Sequence, residues 1–121
     1  MKVGRKISGG RYHQSEKKKK HSRKGIDRKV KLREVKPKKL RVKGGNEKTV
    51  LLSSNLANVI DPKTKKSQKV EIKNVLETPS NRFLARQNIL VKSAVIETEL
   101  GNARITNRPS QEGSVQAVLV K

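Results

Sequence analysis

The chain contains no cysteine and no tryptophan. Without cysteine there is no disulfide framework and no thiolate metal site, as suits a reducing compartment. Aromatic rings are nearly missing too. Tyr12 and Phe83 are the only two, so any core has to be built from aliphatic side chains. Acids are scarce: 10 Asp and Glu stand against 31 Lys and Arg, a formal net charge of +21. So much self-repulsion calls for an anionic partner or strong screening. No apolar run approaches the ~18 residues of a membrane span. The basic first residues lead into no hydrophobic stretch, so neither a secretory signal nor a membrane partner is expected. The 121 residues suffice for one domain and not two.

The charge is unevenly spread. Residues 1–48 hold 20 Lys and Arg against four acids, whereas residues 49–121 hold 11 against six. Up to about Gly25 there is almost nothing apolar, and Lys17-Lys18-Lys19-Lys20 is an unbroken basic run. Such a segment buries too little surface to offset its ordering entropy. The sequence therefore divides into a basic tail over 1–38, expected to be disordered when free and ordered on a polyanion, and a β-rich domain over 39–121. Residues 28–36 offer at most a short strand or helix.

From Lys39 the pattern alternates. Leu40-Arg41-Val42 reads as a strand that Gly44-Gly45-Asn46 ends in a turn. Residues 48–60 read as one long or bulged strand, and Asp61-Pro62-Lys63-Thr64-Lys65 as a turn. Over 69–77, Val70, Ile72 and Leu76 fall on one face and Lys69, Glu71, Lys73 and Glu77 on the other. Thr78-Pro79 predicts a helix start, with Thr78 as N-cap and the helix running to about Gln87. Phe83 and Leu84 would anchor it, leaving Arg82 and Arg86 one turn apart on another face. A strand begins over Ile89–Val91, and Ala94–Leu100 continues it or starts another. Gly101-Asn102 predicts a type II′ hairpin, with Leu100 opposite Ala103, Thr98 opposite Ile105 and Glu99 opposite Arg104. Residues 108–113 read as a loop, and Val115, Ala117 and Leu119 as a last strand. About six short strands and one short helix predict an all-β fold, a small closed or nearly closed barrel, since closure removes exposed edges.

The candidate chemistry is phosphate binding. Lys and Arg contacts to phosphates release condensed counterions. In the tail the candidates are Arg5, Lys6, Arg11, Lys17, Lys18, Lys19, Lys20, Arg23 and Lys24, with Gly9 and Gly10 allowing close backbone approach and Tyr12 and His13 offering rings to stack on bases. The competing reading of Gly9–His13 is a flexible stretch without specific contacts. Arg41, Lys43, Gly44 and Gly45 form a second candidate group, although an ordinary hairpin turn accounts equally for these glycines. On the barrel the candidates are Arg82, Arg86, Lys92, Arg104 and Arg108. His13 and His21 have no metal-ligand spacing, and the acids are scattered without a catalytic grouping. No metal, cofactor, small-molecule substrate or enzymatic activity is expected. Charge alone does not choose between RNA and DNA.

The run Ser8-Gly9-Gly10-Arg11-Tyr12-His13 resembles the opening of the small-subunit ribosomal protein S-eight-e family of archaea and eukaryotes. Further stretches resemble it in the same order: Arg41–Asn46, Ala57–Thr64, Thr98–Thr106, and Asn107–Gly113 followed by Val115–Val120. Residues 14–40 are more lysine-rich than the family pattern and carry over no residue-level contacts. The resemblance implies a structural protein of the small ribosomal subunit with a β-barrel, bound to its rRNA beside neighbouring ribosomal proteins in the cytoplasm. The short length looks like the archaeal form. A DNA-packaging protein is the other class compatible with the charge, but it does not account for the ordered motifs. An RNA-modifying enzyme would need a buried ionisable cluster that the sequence does not supply.

Overall fold

The computed structural model describes residues 4–12 and 27–120. The fold is all-β with one short helix. Its strands are β1 (Val30–Lys31), β2 (Lys36–Arg41), β3 (Glu47–Ser53), β4 (Leu56–Ile60), β5 (Ser67–Glu77), β6 (Ile89–Leu90), β7 (Val95–Thr98), β8 (Gly101–Ile105) and β9 (Gln116–Leu119). The helix α1 spans Arg82–Arg86.

The barrel is closed, but it uses five strands rather than about six, in the order β4-β5-β7-β8-β9. Parallel pairing of β4 with β9, Asn58 opposite Gln116 and Ile60 opposite Val118, completes it. The remaining strands make a second sheet, β2-β3-β1-β6. The stretch 48–60, expected as one strand, is two. Ser54 divides them: its Oγ accepts from the Leu56 N–H at 3.2 Å and donates to the Leu56 carbonyl at 2.9 Å. This local bond competes with the ladder, and the chain passes from one sheet to the other there.

One aliphatic core serves both sheets. Val30, Leu51 and Leu90 from the four-stranded sheet pack with Ala57, Val59, Val70, Ile72, Val75, Ile96, Ala103, Ile105 and Ala117 from the barrel. A side chain such as Leu51, 1% exposed, contributes about 1.5–3 kcal/mol by burial. Val30 belongs to this cluster, and β2 runs across the division drawn at residues 38 and 39. The folded part thus begins upstream of that line. Arg28 reinforces it, its Nε donating to the Ser110 carbonyl at 3.1 Å.

Strand β2 is the sheet's edge, which explains its composition. Pro37 has no N–H to give to a ladder and is tolerated there. The exposed Lys36, Lys38 and Lys39 guard the edge against pairing with other chains.

Two registers differ from the sequence expectation. In β5 the inward residues are Val70, Ile72 and Val75, and Leu76 is exposed. A bulge between Ile72 and Asn74, relative to β7, adds one residue and reverses the alternation. The Val75 N–H finds side-chain acceptors instead, Asn74 Oδ1 at 3.0 Å and Asn88 Oδ1 at 3.3 Å. In the β7–β8 hairpin, Thr98 lies opposite Gly101, Ile96 opposite Ala103 and Val95 opposite Arg104. The turn residues are Glu99 and Leu100, neither with positive φ, which excludes the type II′ turn. Gly101 instead follows the turn at φ +119°, and Thr98 Oγ1 donates to its carbonyl at 2.7 Å. The expected Glu99–Arg104 pair is not formed.

Candidate nucleic-acid interface

Most of the basic candidates fall into three places, and three stand apart. The first is the N-terminal segment. Arg5 and Arg11 form an isolated antiparallel bridge. The Lys6 N–H donates to the Gly10 carbonyl at 2.8 Å, and the Gly9 N–H to the Lys6 carbonyl at 2.9 Å. Gly9 sits at φ +79°, so this glycine is required by the turn itself. Lys6 Nζ lies 5.8 Å from the centre of the Tyr12 ring. Every residue from Gly4 to Tyr12 is exposed. His13, Lys17, Lys18, Lys19, Lys20, Arg23 and Lys24 lie outside the described residues.

The second place is the β2–β3 hairpin. A 3₁₀ turn at Lys43–Gly45 connects the strands, with Gly44 at φ +76° and Gly45 at φ +77°. The Val42 N–H closes it on the Asn46 carbonyl at 2.8 Å. The turn geometry thus accounts for both glycines. Arg41 and Lys43 are exposed there and continue the row begun by Lys36, Lys38 and Lys39. Those three lysines were not among the sequence candidates. A proline within a lysine-rich alternating run was the signal of a solvent-facing edge.

The third place is α1. The helix starts three residues later than the Thr78 prediction. Asn81 is the N-cap, its Oδ1 accepting from the Phe83 N–H at 2.9 Å. Thr78 is instead buried, and among the described residues its Oγ1 is the one buried side-chain polar atom without a hydrogen-bond partner. Asn88, at φ +51°, ends the helix region. Asparagine tolerates this conformation better than most residues. Its backbone carbonyl accepts from the Leu32 N–H at 3.0 Å, and its side chain accepts from Val75, so it joins α1 to both sheets.

Leu84 and Ala85 are partly buried, with Ala85 against the core, while Arg82, Phe83 and Arg86 face solvent. Phe83 therefore does not anchor the helix; the residue is 55% exposed. The guanidinium carbons of Arg82 and Arg86 lie 5.6 and 5.9 Å from the ring centre. Both arginines also line an open cleft of about 540 Å³ with Asn74, Leu76, Glu77 and Thr78.

Lys92, Arg104 and Arg108 are exposed on three separate elements: the turn before β7, strand β8 and the loop before β9. Among the described residues no three His, Cys, Asp or Glu groups gather as metal ligands. None of the helices there is long and apolar enough to cross a membrane. The Asp61 carboxyl is held below its ordinary value of 3.8, first by the Lys63 backbone N–H and then by the Thr64 hydroxyl, the hydrogen bonds that shape the β4–β5 turn.

Comparison with known proteins places these features in context. The family described as Ribosomal protein S8e matches residues 1–120. Small ribosomal subunit protein eS8 of Methanococcus aeolicus is 44% identical over 117 residues, covering 96% of this chain and 91% of that protein. The protein of the same name from Sulfolobus acidocaldarius is 42% identical over 119 residues, covering 97% and 92%. That from Methanocorpusculum labreanum is 44% identical over 119 residues, covering 97% and 94%.

Proposed function

The chain belongs to the Ribosomal protein S8e family, and on that premise we propose that it is a structural constituent of the small ribosomal subunit that binds the subunit's rRNA through phosphate contacts. The observation that carries this reading is the family match across residues 1–120, with relatives named as small-subunit proteins along nearly their whole length. Charge supplies the physical reason. A chain of net charge +21 lowers the repulsion between rRNA segments packed against it.

The roles divide along the chain. The N-terminal segment, including Arg5, Lys6, Arg11 and the lysine run 17–20, contributes most of the neutralisation. The folded part sets position through Arg41, Lys43, Arg82, Arg86, Lys92, Arg104 and Arg108. The lysines of β2 extend that surface along the sheet edge. These groups act by charge and hydrogen bonding, so the role needs no cofactor and no turnover. Small-subunit rRNA and adjacent ribosomal proteins are the partners, and the ribosome in the cytoplasm is the location.

Crosslinking in native extract, with sequencing of the attached fragments, tests the reading. Crosslinks should concentrate at a few neighbouring sites of small-subunit rRNA. The protein should also sediment with small subunits after DNase and leave them after RNase. Crosslinks scattered over unrelated RNAs, or release by DNase, would overturn it.

A further inference from the structure

We propose that the outer face of α1 seats one unpaired RNA nucleotide, with the Phe83 ring stacked on its base and Arg82 and Arg86 contacting the flanking phosphates. The inference rests on the RNA-binding reading above and deepens it. Phe83 is the only phenylalanine in a chain whose core is wholly aliphatic, yet it stands 55% exposed. Core packing therefore does not explain it. The helix beneath is fixed by the Asn81 cap, by Leu84 and Ala85, and by Asn88 at its end. The ring is thus presented by a positioned element.

Two guanidinium groups lie within 5.6 and 5.9 Å of the ring centre, inside the ~6 Å range of cation–π attraction. An exposed aromatic ring with two guanidinium groups over it, on exposed side chains that can swing outward to flanking phosphates, matches a base and its phosphates. The phosphates belong on the ring side of the arginines. Glu77 lines the cleft that both arginines border and that Phe83 does not line, and its carboxylate disfavours an anion in that cleft. A protein partner fits less well, because one ring on a five-residue helix supplies only a small part of the ~1,200 Å² that a stable protein interface buries. Paired bases also fit less well, since their faces are already covered by stacking. Every base offers a π-face, so the seat selects for unpairedness rather than sequence.

Aromatic proton NMR of the full chain tests this, because Phe83 and Tyr12 are the only Phe and Tyr rings. Titration with a single-stranded RNA hexanucleotide should move the Phe83 ring protons upfield, and a perfectly paired RNA duplex should not. Phe83→Ala should weaken hexanucleotide binding on the order of 5- to 100-fold without changing its salt dependence, and Phe83→Tyr should restore it. Arg82→Gln should instead flatten the plot of log affinity against log salt, by about 0.7 for the lost contact. If backbone amides respond at saturation while the Phe83 ring does not, the seat is refuted but RNA binding stands. If nothing responds to either RNA, both readings fall. If Phe83→Ala binds RNA normally but no longer joins small subunits, the ring is a protein contact and the proposal is wrong.

Discussion

Replacing Val30 with alanine tests where the folded part begins. Val30 is fully buried, lies opposite Leu90 in β6 and packs in the shared core. The substitution removes two methyl groups. Their transfer is worth about 1.6 kcal/mol at ~0.8 kcal/mol each, and the cavity left behind raises the cost to about 2–3 kcal/mol. Because β1 has only two residues between β3 and β6, little nearby backbone is free to collapse into the gap. At about 4–8 °C per kcal/mol for a domain of this size, the melting temperature should fall by about 10–20 °C. Thermal denaturation of the full chain followed by circular dichroism measures it. Val35→Ala is the matched control. Val35 is 46% exposed, so its loss should change stability by less than about 0.5 kcal/mol. Equal melting of the two variants would mean that residue 30 is outside the core and that a division near residue 38 is correct.

A chain beginning at residue 27 should melt cooperatively, whereas one beginning at residue 39 loses β1 and half of β2 and should not; equal cooperativity in calorimetry would refute this. Gly101→Val should cost about 1–3 kcal/mol in denaturant unfolding, because φ there is +119° and β-branched residues resist positive φ. Gly113→Ala should also destabilise, since a Cβ would meet Thr49 Cγ2 at 3.0 Å and Cβ at 3.2 Å; an unchanged melt would show that the loop yields. The depressed Asp61 pKa means its contribution to turn stability is present above the ordinary carboxylate value and is lost as pH falls through the lowered folded value. Protection of the Lys63 amide, measured against its intrinsic exchange rate at each pH, should fall in that acidic window, and Asp61→Asn should abolish that change.

Much of the fold was legible because aliphatic alternation reports burial directly. Val70 and Ile72 in β5, Ala103 and Ile105 in β8, and Val115 and Ala117 around β9 face the core as their spacing predicts. The hairpin register was off by two residues in the position of the turn, yet the same faces stayed inward, because only an odd slip exchanges them. The β5 bulge was not legible. It depends on Asn74 and Asn88 satisfying the Val75 N–H, and Asn88 lies 13 residues away in sequence. The helix start was misplaced because Thr78 and Asn81 are both good caps, and tertiary burial of Thr78 decided between them. At the candidate interface, the exposed arginines of α1 were foreseen from charge. Phe83 was assigned inward, since hydrophobicity alone favours burial and cannot register that the core is already filled by smaller side chains.

Closure of the barrel by its last strand has a consequence for synthesis. Ribosomes make proteins from the N-terminus at about 5–20 residues per second. Strand β4 must wait for β9, more than 50 positions later, before its free edge is paired. Nearly half the chain therefore emerges before that edge can be covered, and the most cationic stretch emerges first. A nascent molecule therefore presents its cationic stretch and an unpaired barrel edge at the same time, before the last strand closes the sheet.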